Sequence, residues 1–120
     1  MSAKLTLSMQ QTAEAEYDNF LAQIGKELTK IDPQLAVQVM YYERKFPDVE
    51  PNVELHIHYK EGVNTDRKKD ELDYKYGYLL AKEEKHAIRA TGLMTLGRIY
   101  EISQDSDIDK ITGFATCASY

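Results

Sequence analysis

The residues best equipped for chemistry are Glu54, His56 and His58, in the run NVELHIHY over 52–59. Side chains two apart on a β-strand point the same way, so the three would share one face. Imidazole and carboxylate are ligands for zinc or copper. A catalytic zinc site needs three protein ligands and an open position, and His86 is the remaining histidine that could complete one. Solvated strand faces carry the same residue types without a ligand, so a metal is the minor reading and no cofactor is expected.

Other chemistry finds less support. Asp105, Asp107 and Asp109 resemble the opening of a calcium loop. The sixth position, however, holds Lys110 instead of glycine, and the twelfth holds Thr116 instead of glutamate. The glycines form no phosphate-cradling pattern. Cys117 is the only cysteine, and a lone cysteine is more often a small core residue than a nucleophile. No catalytic residue can be assigned.

A second candidate is the stretch from Leu72 to Leu80. Leu72, Tyr74, Tyr76, Tyr78 and Leu80 fall at every second position, the period of a strand. Three tyrosines on one face give a surface apolar in body and polar at the tips, suited to lining a core or meeting a protein. Lys75 alone supplies too little positive charge for that stripe to stack nucleic-acid bases. Tyr42, on a second Tyr-bearing stretch, is a further interface candidate.

The elements that would position these residues follow from hydrophobic period. Leu5, Leu7 and Met9 suggest a short first strand. Tyr17, Phe20, Leu21, Ile24, Leu28 and Ile31 recur at helical spacing, predicting one long amphipathic helix from Thr12 to Ile31, stopped by Asp32-Pro33. Alternation predicts strands over 36–46, 53–59, 72–80, 88–102 and 112–120. A charged loop is expected over 61–71, and a turn or short helix over 104–111. Residues 81–86 read as the turn of a hairpin, although 79–90 also has high helix propensity. The expected fold is therefore α+β. One long N-terminal helix would pack on a curved antiparallel sheet of five or six strands, in a single domain spanning 1–120. That arrangement resembles cystatin-like inhibitors in topology alone. Their glycine-bearing protease-binding loop signature is absent, so no function or residue is carried over.

The chain of 120 residues is large enough for one core without staples. Its net charge of −5 argues against generic nucleic-acid binding, which needs a basic footprint. A single cysteine excludes an internal disulfide, and no apolar run approaches the length of a membrane helix. A cytoplasmic protein is expected, with no membrane partner. The expected function is a non-enzymatic protein-binding domain (an inhibitor, an immunity or antagonist protein, or an assembly subunit). It would act on another protein or on itself through a sheet face, edge strand or loops. The alternative is a small-ligand- or metal-binding enzyme with a pocket between helix and sheet that uses His56 and His58.

Overall fold

The computed structural model describes residues 15, 16, 18–23, 26, 28–84 and 86–116. The first fully described helix, α1 (Pro33–Lys45), is built by its ends. The Asp32 carboxylate caps it by accepting from the Gln34 N–H, Pro33 occupies the first turn, and Arg44 and Lys45 sit in the last. It buries Leu35, Ala36 and Val39. Strand β1 (Asn52–Tyr59) follows, with Val53, Leu55, Ile57 and Tyr59 buried. Helix α2 (Thr65–Tyr76) starts at the Asn64 cap and ends at Gly77, whose φ of +69° is the left-handed geometry of a helix stop. The hairpin of β2 (Leu79–Lys82) and β3 (Ala87–Leu93) comes next. Helix α3 (Leu96–Ser103) is capped by the Thr95 hydroxyl, and β4 (Ile108–Thr116) closes the described chain.

The four strands form one antiparallel sheet in the order β2-β3-β1-β4. From β1 onward the element order is β-α-β-β-α-β, two interlocked split βαβ units, an arrangement termed ferredoxin-like. Leu35, Val39, Leu72, Ile99 and Ile102 from the three helices share one core with Val53, Leu55, Ile57, Ile88 and Ile111 from the sheet. All three helices thus lie on one face. Each fully buried Leu or Ile contributes about 2–3 kcal/mol of transfer free energy, so this single layer of contacts dominates stability.

The two sheet edges are treated differently. Beside β4, the Ile111 N–H donates to the Lys30 carbonyl at 2.7 Å, the Asp32 N–H donates to the Ile111 carbonyl at 2.9 Å, and the Ala115 N–H donates to the Gln38 side chain. The β2 edge is only four residues long. Shortness and side-chain cover are ways of blunting an edge against aggregation.

The expected architecture is corrected in several places. Residues 15, 16, 18–23 and 26 are helical, but Leu28 to Lys30 form a bend and turn, and Ile31 makes a bridge to β4. Phe20, on the expected apolar stripe, is exposed, and among the described residues no long N-terminal helix packs on the sheet; α1, α2 and α3 cover it instead. The strand expected over 36–46 is helix α1, because the Asp32 cap and Pro33 outweigh the β preference of its valines and tyrosines. The tyrosine strand over 72–80 is the last turns of α2 plus the start of β2. The strand over 88–102 breaks at Thr95 into β3 and α3. Four strands are described, not five or six, and the resemblance to the cystatin arrangement falls with them. The first expected strand, at 3–9, and residues 117–120 of the last lie outside the described residues.

Candidate functional site

The strand pairings align side chains in rows across the sheet. Core-facing positions of β1 pair with core-facing positions of its neighbours, for example Ile57 with Ile88 and Ile111. The alternate positions form the opposite, outer face, which α1, α2 and α3 leave uncovered. One row there runs Leu79, Thr91, Glu54, Phe114. The next runs Ala81, Arg89, His56, Thr112. In the third, Glu83, whose N–H donates to the Ala87 carbonyl, is followed by Ala87, His58 and Lys110. At the other end Leu93, Asn52 and Thr116 align. Leu79 is 77% exposed, Leu93 49% and Phe114 46%.

Gly113, paired with the core-facing Leu55, sets how closely β4 approaches β1. Its φ of +146° lies in territory that side chains avoid, and a Cβ there would run into the Glu54 carbonyl oxygen. Its successor Phe114 stands directly across from Glu54.

The centre of the outer face is polar. His56 Nδ1 lies 2.6 Å from Glu83 Oε1, and Nε2 lies 3.0 Å from Glu54 Oε2. Both ring nitrogens therefore face carboxylates, and only the imidazolium can donate to the two at once. His58 is separate from that clamp, with Nε2 3.4 Å from the Thr112 hydroxyl. Partial burial lowers its pKa from the usual histidine value, and the charges of Lys110 and His56 lower it further.

The expected metal set thus divides. Glu54 and His56 bind each other, and His58 points to Thr112. His58 lines a cleft of about 640 Å³ with His86, Glu84 and Asp109, where the His86 Nδ1 is buried without a partner. No group of three or more His, Cys, Asp or Glu side chains among the described residues has the geometry to hold a metal ion. Cys117 lies outside the described residues.

The tyrosine stripe divides as well. Tyr74 is 92% exposed on α2, whereas Tyr76 and Tyr78 pack against the core with stacked rings 5.7 Å apart. Burial raises the pKa of both phenols. The Arg98 guanidinium sits 4.6 Å from the Tyr76 ring centroid, and Gly92 leaves the space that the Tyr78 ring occupies. Tyr42, half-buried, meets Tyr41 edge to face at 5.2 Å and packs against the core.

A cavity of about 400 Å³ does lie between helices and sheet, lined among others by Tyr59, Lys68, Lys75, Tyr76, Glu101 and Asp105. Neither His56 nor His58 lines it. Much of its polar wall is already paired. The Lys68 ammonium donates to Asp105 and Asp107 at 2.9 Å each, and the Lys30 ammonium donates to the Asp105 carbonyl at 2.7 Å. Those bonds, to Asp105 first, hold the Lys68 pKa well above the usual lysine range. Burial would raise the Asp105 pKa, but Lys68 and the Asp107 N–H outweigh it and keep the carboxyl below its ordinary range. Tyr59, 4% exposed, has its phenol pushed far up by burial and then by the Asp105 charge.

Sequence reasoning missed three contributors to the outer face: Phe114, Leu79 and Glu83. The alternation of 112–120 held a signal for Phe114. Nothing local marked Glu83, because its place opposite His56 depends on a strand between them. No helix among the described residues is long and apolar enough to cross a membrane. No family model, curated protein or solved structure matches this chain.

Proposed function

We propose that this chain is a protein-binding module whose uncovered sheet face is its docking surface. One observation carries the reading: a four-stranded sheet with α1, α2 and α3 all on one face, whose other face presents Leu79, Leu93 and Phe114 around a charged centre. Apolar rings and aliphatic chains beside paired charges give a partner both area to bury and groups that fix its register. The outward positions of β1 and β3 hold Asn52, Glu54, His56 and His58, and Ala87, Arg89, Thr91 and Leu93. With no Phe, Tyr or Trp there and a net charge of −5, a stacking role on nucleic acid is disfavoured.

The test is affinity capture from the native host with the full chain, its Phe114→Asp variant and its Tyr74→Ala variant. Phe114 is on the outer face, whereas Tyr74, more exposed still, sits on α2. The reading predicts one stoichiometric partner held by the wild-type chain and by Tyr74→Ala and lost by Phe114→Asp, with unchanged thermal unfolding. Equal retention by Phe114→Asp, or no partner at all, contradicts it.

A further inference from the structure

The register of the outer face allows its occupant to be named. We infer that the face docks on the same face of a second copy of this chain, about a two-fold axis parallel to the strands. The inference rests on the reading of the outer face as a binding surface. A two-fold interface brings one patch against itself, so the patch must be self-complementary under a single rotation. A dyad along the strands keeps each row in register and exchanges its two sides, setting β2 over the partner's β4 and β3 over the partner's β1. In the first row Leu79 then lies over the partner's Phe114, so the most exposed aliphatic side chain of the sheet meets its exposed ring. In the third row Glu83 lies over the partner's Lys110. In the middle row Arg89 lies over the partner's His56, one row from the partner's Glu54, within the reach of a long guanidinium side chain. Every such contact occurs twice.

The groups needed are available. His56 engages Oε1 of Glu83, which leaves Oε2 to accept from a lysine across the interface. Among the described residues, neither Lys110 nor Arg89 makes an ion pair. The four rows carry two carboxylates, Glu54 and Glu83, against Arg89 and Lys110. With His56 set between the two carboxylates, the rows carry no acidic excess although the whole chain is at −5, so this face is the part of the surface where two copies repel least. Asp109, pushed out by the bulge between His58 and Tyr59, sits beside Lys110 at the margin.

The competing rotation, with the dyad across the strands, fits worse. It places each strand over its own copy, so wherever the axis lies Leu79 beside β3 cannot meet the partner's Phe114 on β4, and Glu83 cannot meet the partner's Lys110. Both the apolar pair and the charge pair are then lost.

Four strands about 4.8 Å apart and about seven residues at ~3.3 Å give a patch on the order of 450 Å² per copy. This is below the ~800 Å² per partner of a standard stable interface, so the dimer is a weak one that forms with rising concentration. Two aligned sheets stack with their strands about 30° apart, a rotation that the long side chains at the corners accommodate.

Sedimentation equilibrium of the full chain from low to high micromolar concentration tests this, together with charge exchange. The wild-type chain should pass from monomer to dimer. Lys110→Glu or Glu83→Lys alone should weaken association about tenfold, since each creates two like-charge contacts, and the double variant should restore it. Far-ultraviolet circular dichroism confirms that each variant is folded. A wild-type chain that stays monomeric throughout, single exchanges without effect, or a double exchange that fails to restore association overturns the inference. A monomeric chain that still captures a different protein through Phe114 would overturn the second copy as occupant while upholding the docking face.

Discussion

Replacing Gly113 by alanine should be the most damaging single-methyl addition in the sheet. Two costs combine. A side chain at a φ of +146° costs about 1–3 kcal/mol in backbone strain. The new Cβ would also overlap the Glu54 carbonyl oxygen and approach the Leu55 Cα to 3.1 Å. Both are backbone atoms that no side-chain rotation can move. Relief requires β4 to draw away from β1, weakening one or two ladder hydrogen bonds at about 1 kcal/mol each. The sum is about 2–5 kcal/mol, a large part of the ~5–15 kcal/mol that holds a typical domain folded. Gly77 provides the control, because its φ is +69° and nothing lies within 4 Å of an added Cβ. Gly77→Ala carries the conformational cost alone, about 1 kcal/mol. Urea unfolding of the three proteins, with a common slope, measures the difference. Equal losses for the two variants, or a loss under about 1 kcal/mol at Gly113, would refute the close approach of β4 to β1.

Two further predictions concern charge. Lys68→Met removes the ammonium that joins α2 to Asp105 and Asp107 and should cost about 2 kcal/mol, since two carboxylates 29% and 48% exposed are left facing each other. The Asp105 pKa is depressed, so its contribution is present above the unfolded carboxylate pKa of about 3.9 and is lost as pH falls through the folded value. The Lys68 pKa is raised, so its contribution holds below about pH 10.4 and is lost as pH rises through the folded value. Thermal unfolding across pH should show both limbs in the wild-type chain, and Lys68→Met should flatten them. His58 has a lowered pKa, so the unfolded chain binds more protons and stability falls as pH drops below about 6.5. His58→Gln should remove that component of the slope, as measured by unfolding midpoints between neutral and mildly acid pH.

How much of this was legible in the sequence depended on whether the deciding signal was local. The run 53–59 alternates cleanly, and the structure buries Val53, Leu55, Ile57 and Tyr59 while turning Glu54, His56 and His58 outward. The hairpin turn was equally local, although it begins after Lys82 and not at residue 81. The tyrosine stretch misled because Leu72 and Tyr76 satisfy both periods: they are two apart twice over and also four apart. The Asn64 cap and the left-handed Gly77 decide for a helix, which sends Tyr74 to solvent and Tyr76 to the core. Val37, Val39 and Tyr41 misled through β propensity, a weaker influence than the Asp32-Pro33 start and the burial of Leu35, Ala36 and Val39 on one helical face. The candidate site was half legible: one strand of the outer face could be read, but the rows that join Leu79, Glu83 and Phe114 to it required the strand order.

The most direct measurement is hydroxyl-radical footprinting of the full chain, dilute and then in its complex. The account predicts that labelling of Leu79 and Phe114 falls on complex formation while Tyr74 and Tyr100, exposed on the helical side, are labelled as before. Protection of Tyr74 and Tyr100 with Leu79 and Phe114 unchanged would contradict the uncovered sheet face as the surface by which this chain binds.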